Sequence, residues 1–145
     1  LLSHPAQWAR LREDPALVPG AVRELLRYDS PVQYTGRRVT TDLMLHGQRL
    51  RRGELVLALI GAANRDPARH AQPEQLDITR ADPGALSFGS GVHVCLGAAL
   101  TRLEAEVVFT RLLERWPGLG LASQQPAWCA NSAYRGLAAL PLRRS

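Results

Sequence analysis

Apolar and polar positions alternate along this chain with two different periods. Over residues 4–14, Trp8 and Leu11 fall on one side and the arginines elsewhere, the spacing of a short amphipathic helix. Leu17, Val22, Leu25 and Leu26 then repeat every 3.6 residues and predict a second helix. It starts at Pro15 or Pro19, where a missing N–H costs little. Ser30-Pro31 ends it, because the residue before a proline is pushed out of the α region. From Tyr34 to Leu59 the pattern changes: residues 38–41, 43–45 and 55–59 lean to β, separated by turn signals at His46-Gly47 and Arg52-Gly53. Residues 62–86 are rich in Pro, Asp, Asn and Gly with little period, and so long a loop is normally functional or packed against something. Leu100, Leu103, Val107, Val108, Leu112 and Leu113 predict a helix from about Leu96 to Arg115, stopped by Pro117-Gly118. In the tail from Leu119, Trp128, Tyr134 and the Leu137/Leu140 pair suggest two or three short strands. No internal repeat, low-complexity tract or interdomain linker interrupts the chain. The pattern is mainly α with small β-sheets, an α+β class.

Composition narrows the picture. The chain has 145 residues, 46% hydrophobic and 21% charged, ordinary for a soluble globular protein. No apolar run approaches the roughly eighteen residues of a membrane-spanning helix. The start, Leu1-Leu2-Ser3-His4-Pro5, has no initiator methionine and no signal-peptide pattern, and reads as the interior of a longer chain. Cys95 and Cys129 do not suggest a disulfide framework, which fits a reducing cytoplasm. The net charge of +5 comes from arginine alone. Those arginines are dispersed rather than gathered in a stripe with aromatics, which argues against a nucleic-acid partner.

The chemistry concentrates in Phe88-Gly89-Ser90-Gly91-Val92-His93-Val94-Cys95-Leu96-Gly97. Gly89, Gly91 and Gly97 let the backbone turn sharply and approach a flat ligand, since no Cβ intrudes. Cys95 sits just before a helix, where unpaired N–H groups and the dipole favour negative charge. A cysteine sulfur on a glycine loop with room beside it is what a haem iron needs from a proximal ligand. An isolated cysteine would more simply be a buried structural thiol.

Phe-Gly-x-Gly-x-His-x-Cys-x-Gly, followed by Ala98-Ala99-Leu100-Thr101-Arg102-Leu103-Glu104, resembles the haem-binding loop and helix of bacterial cytochromes P450. The resemblance covers the whole chain but only about the last third of the family. It implies an incomplete C-terminal part of that fold, residues 1–145 forming the haem-thiolate portion, with the oxygen-activating helix and its acid–alcohol pair lying upstream. It implies haem b (iron protoporphyrin IX) with Cys95 as axial ligand. His93 and Arg37 would contact the propionates; Arg38 is the competitor of Arg37, one register slip away. Phe88 would pack beside the thiolate and exclude water.

Glu24 and Arg27 stand at i and i+3 on the second helix and form the only ExxR in the chain. Alone, such a pair is commonly solvent-exposed; the resemblance implies a buried anchor beneath the haem. The family completes that anchor with a basic residue in a Pro-x-Arg-Phe-like segment, and the matching Pro73-Glu74-Gln75-Leu76 carries Gln75 instead. A neutral amide donates hydrogen bonds to Glu24 but does not neutralise it. His4, His46 and His70 have no ligand spacing and read as surface or turn residues. Residues 31–36 and 131–134 would face substrate, through Val32, Gln33, Tyr34 and Ser132.

The activity implied is a haem-thiolate monooxygenase acting on a small lipophilic substrate, with electrons from a ferredoxin-type partner and its reductase. No membrane or nucleic acid is implied as a partner, and no proton-delivery residue is identifiable. The alternatives are a naturally short haem-binding non-oxygenase (sensor, carrier or interaction module) and a silent scaffold without haem.

Overall fold

Helices cluster at the start and centre of the chain, and strands pair only as short ribbons. The computed structural model describes residues 1–81, 84–123 and 125–144. Helix α1 spans Pro5–Glu13, and a 3-10 turn over Pro15–Leu17 leads into α2, Val18–Tyr28. Both prolines weighed as starts are used, Pro15 opening the 3-10 turn and Pro19 sitting in the first turn of α2. The Asp14 carboxylate accepts the Ala16 N–H at 3.1 Å and caps that entry. Four strands follow, β1 (Thr35–Arg38), β2 (Leu43–Leu45), β3 (Gln48–Leu50) and β4 (Leu55–Ala58), then the short α3, Ile60–Ala63. Helix α4 covers Ala98–Arg115, and the tail carries β5 (Leu119–Leu121), β6 (Ala127–Trp128), β7 (Leu137–Ala139) and β8 (Leu142–Arg144). All pairings are antiparallel: β1 with β4, β2 with β3, β5 with β8 and β6 with β7.

The strand expected at 38–41 starts earlier, at Thr35, because residues 35–38 find partners on β4, with Gly36 opposite Leu57 and Arg37 opposite Val56. Cross-strand pairing there overrides the poor β propensity of glycine. Strand β3, polar and unmarked in sequence, is the return arm of a hairpin whose turn residues His46 and Gly47 both take positive φ, 47° and 78°. Helix α3 was not signalled by any period, and the tail holds more strands than the two or three expected.

The core joins Trp8 and Leu11 of α1, Val18, Ala21 and Val22 of α2, Ile78, Leu113 of α4, and Leu119. Full burial of a residue such as Leu11 stabilises by about 1.5–3 kcal/mol. Ala105, Phe109 and Leu112 bring the same face of α4 onto this cluster. Its other face, with Leu100, Leu103, Val107 and Val108, is exposed. Helix α4 is therefore apolar on two sides and buries only one. The connection is packed rather than loose over 62–81: Asn64, His70, Leu76 and Ile78 are all buried. His70 is thus no surface residue. The turn closed by its N–H to the Asp66 carbonyl, at 2.8 Å, tucks the ring inward.

Candidate functional site

Glu24 and Arg27, one turn apart on α2, are both 0% exposed. Arg27 grips the carboxylate through Nε to Oε2 and Nη2 to Oε1, each 2.8 Å, a bidentate pair. The other donors reach the long connection: Nη1 to the carbonyls of Asn64 (2.8 Å) and Pro73 (3.0 Å), Nη2 to that of Gln75 (3.2 Å). Glu24 Oε1 also accepts the Asp77 N–H at 3.1 Å, and Oε2 accepts Arg80 Nε at 3.1 Å.

Arg80, not Gln75, is the third arm. Gln75 is exposed and takes part only through its backbone carbonyl. The reason lies at Asp77, whose Oδ1 accepts the Thr79 N–H (2.9 Å) and hydroxyl (2.6 Å). These bonds hold the Asp77 carboxyl below the usual carboxylate range and turn the chain so that Arg80 comes back over Glu24. The buried carboxylate therefore has two guanidinium partners, which its burial requires. The available signal was Arg80 itself, the cation following Asp77-Ile78-Thr79.

His70 lies 4% exposed near this cluster. Burial first, and the charges of Arg27, Arg69 and Arg80 next, push its pKa below the ordinary 6.5, against a smaller opposing pull from Glu24. The unfolded chain then binds the proton first, so stability present above about pH 6.5 is lost as pH falls through the lowered folded value. The melting temperature of wild type should drop between about pH 7 and pH 5 more steeply than that of His70→Gln. Parallel pH profiles would contradict this.

The cysteine loop leaves α2 behind and rises to α4. Gly89 and Gly91 take φ of 74° and 70°, which side chains rarely adopt, and a Cβ at Gly91 would meet nothing within 4 Å. A 3-10 turn spans Gly91–His93. The Cys95 N–H donates to the Phe88 carbonyl at 2.8 Å, closing the loop, and the Cys95 carbonyl accepts the Ala98 N–H at 3.2 Å. Gly97 is the N-cap of α4, without a side-chain cap. A Cβ there would lie 3.9 Å from Cys95 Sγ. Cys95 is exposed, as are His93, Val92 and Leu96, and Phe88 is half-buried with the Arg102 guanidinium 4.9 Å from its ring centroid. Cys129 is also a free, exposed thiol, on the tail.

Arg37 donates to Thr35 Oγ1 and the Gly36 carbonyl, each 2.8 Å, within β1 itself. Arg38 is tied instead to the Gly53 carbonyl at 2.7 Å. Val32, Gln33, Tyr34 and Ser132 do come together: Val32 bridges to Tyr134, the Gln33 N–H donates to the Ala133 carbonyl at 2.8 Å, and the Tyr34 and Ser132 hydroxyls lie 3.1 Å apart. Arg135, which sequence reasoning passed over, clamps this junction with Nε 2.6 Å from Asp29 Oδ1 and its guanidinium 3.9 Å from the Trp128 ring centroid.

The family model described as Cytochrome P450 matches residues 9–118. The chain belongs to the cytochrome P450 family. The "Biotin biosynthesis cytochrome P450" of Bacillus subtilis is 46% identical over 142 residues, 98% of this chain and 36% of the relative. "Cytochrome P450 107B1" of Saccharopolyspora erythraea is 47% identical over 146 residues, 99% of this chain and 36% of the relative. Among solved structures, a P450BioI in complex with an acyl carrier protein ligated to hexadec-9Z-enoic acid superposes with a TM-score of 0.97. It is 46% identical, with 100% of this chain and 38% of that one covered. The tirandamycin C-bound monooxygenase TamI gives 0.95 at 40% identity, covering 100% of this chain and 37% of that one. The chain thus spans little more than a third of the length of these P450 relatives. No helix among the described residues is long and apolar enough to cross a membrane.

The family implies haem, and the residues present fit it. Cys95 offers one soft, accessible sulfur donor on a loop with open space at Gly91. Among the described residues no three His, Cys, Asp or Glu side chains converge. The exposed apolar residues Val92, Leu96, Leu100 and Leu103 suit a large flat apolar face.

Proposed function

We propose that this chain supplies the proximal half of a haem-thiolate monooxygenase that inserts one O2-derived oxygen atom into a small lipophilic substrate. The observation that carries the reading is Cys95, exposed at the closed end of a positive-φ glycine loop and bordered by exposed apolar side chains. Bound haem would supply oxygen activation driven by two electrons from a ferredoxin-type partner and its reductase. Cys95 would hold the iron as thiolate, Gly89, Gly91 and Gly97 would let the backbone approach the ring, and Phe88 would shield the sulfur from water. His93 and Arg37 would bind the propionates, and among the described residues the Arg37 guanidinium gives up bonds within its own strand to do so. Glu24, Arg27 and Arg80 would hold the connection beneath the loop rigid. Val32, Gln33, Tyr34 and Ser132 would face the substrate.

The proton-delivering groups and the cover over the iron's second face would come from chain outside these residues. The 145 residues by themselves should bind haem without hydroxylating, since a proton donor within hydrogen-bond reach and a closed, dry site would both be lacking. The test is reconstitution of the chain with haem, ferredoxin, reductase and a panel of lipophilic substrates. Electron consumption that yields peroxide and no hydroxylated product is expected. Coupled product formation would make the short chain an enzyme in its own right, and failure to take up haem would favour a silent scaffold.

A further inference from the structure

Asn64, directly after α3, is a fully buried side chain whose bonds join the anchor helix to the cysteine loop. Its Nδ2 donates to Ser30 Oγ at 2.7 Å and Ser87 Oγ at 2.9 Å, and its Oδ1 accepts the Leu86 N–H at 2.7 Å. Ser30 and Ser87 both spend their single hydroxyl proton on the Leu26 carbonyl, at 3.1 and 2.6 Å. Each hydroxyl must therefore accept from Asn64, which fixes the amide with its NH2 toward the serines and its oxygen toward Leu86. The Asn64 backbone carbonyl meanwhile accepts Arg27 Nη1 at 2.8 Å.

The bonds within the loop do not tie it to anything: Gly89 N–H to Leu86 O, Val94 N–H to Gly91 O and Cys95 N–H to Phe88 O are all internal. Among the described residues, the hydrogen bonds that fasten residues 86–94 to the elements before them end on Leu86 and Ser87, and Asn64 makes both of its loop contacts there. Leu86 is two residues from Phe88, whose carbonyl holds the Cys95 N–H. Had Asn64 served only to pack α3 on α2, its bonds to Ser30 and Arg27 would suffice.

We propose that Asn64 is a positioning residue for Cys95, carrying the rigidity of the Glu24–Arg27 anchor into the base of the cysteine loop and so fixing the sulfur's place as iron ligand. The inference rests on the haem-thiolate reading for its last step only. Asn64→Ala removes the acceptor of the Leu86 N–H and the donors to two buried hydroxyls, so the loop's base should open far more often.

The test uses haem-loaded protein carrying Asn64→Ala or Ser87→Ala. Hydrogen exchange in the 86–95 peptide should accelerate about tenfold or more in Asn64→Ala, while peptides of α1 and α4 stay within about twofold of wild type. The carbon monoxide complex of the reduced variant should lose part of its thiolate-shifted Soret band to an unshifted one. Ser87→Ala should move both readouts in the same direction by less, and carries the test if Asn64→Ala does not accumulate folded. Wild-type exchange at 86–95 with an unchanged band would overturn the proposal, and so would acceleration spread evenly over α1, α4 and the loop. A wild-type protein lacking the shifted band would refute the haem-thiolate reading instead, and exchange at 86–95 in haem-free protein would still decide whether Asn64 holds the loop.

Discussion

Glu24→Ala is expected to destabilise the protein by about 3–5 kcal/mol, because it strands two guanidinium groups in a buried site. For a domain of this size that is a fall in melting temperature on the order of 10 °C, and a large part of total stability. Arg27→Ala should cost as much, since it also removes the donors to the carbonyls of Asn64, Pro73 and Gln75. Haem content should fall with stability in both variants, while any ligand preference of the remaining folded protein stays as in wild type. The neighbouring positions make the experiment sharper. Arg80→Ala should destabilise clearly though less, as Glu24 keeps its bidentate partner, whereas Gln75→Ala should be near neutral, its side chain being exposed. Thermal melts that rank Gln75→Ala with Arg80→Ala would place the third arm wrongly. Normal stability in Glu24→Ala would mean that the anchor contributes nothing.

What the sequence reveals depends on whether the signal is local. The Glu24–Arg27 spacing and the glycine-cysteine loop are short-range features, and both stand in the structure as compact local units. That Arg80 rather than Gln75 completes the anchor is signalled in the sequence only by the cation itself, because its placement depends on the Asp77–Thr79 turn, a geometry of side chain on backbone that carries no period. His70 meets the turn half of its surface-or-turn reading, but a lone histidine in a loop gives no hint that the turn at Asp66 buries it. Asn64 lies in a stretch without periodicity, and its partners Ser30 and Ser87 are far off in sequence, so only the fold brings them together. The strand at Thr35 was displaced by three residues because β4, not propensity, sets where β1 begins. The two-sided apolarity of α4 was visible in the sequence, but which side meets α1 and α2 was not.

The second large effect concerns Cys95. Its backbone is held on both sides, by Phe88 and by the start of α4, while its side chain is exposed. Replacing the sulfur removes the loop's thiol ligand without disturbing those bonds. Cys95→Ala should therefore fold as wild type does and lose thiolate ligation completely. Cys129 sits on the tail, its N–H bonded to the Gly136 carbonyl at 2.9 Å, and is an internal control of the same chemistry. Cys129→Ala should change nothing at the iron.

The most direct measurement is the absorption spectrum of the reduced, carbon monoxide-bound form of haem-loaded protein, for wild type, Cys95→Ala and Cys129→Ala. Wild type and Cys129→Ala should both show the strongly red-shifted Soret band of a thiolate-bound iron, and Cys95→Ala should show none of it. A shifted band that persists in Cys95→Ala, or vanishes in Cys129→Ala, would contradict the assignment of Cys95 as the iron ligand.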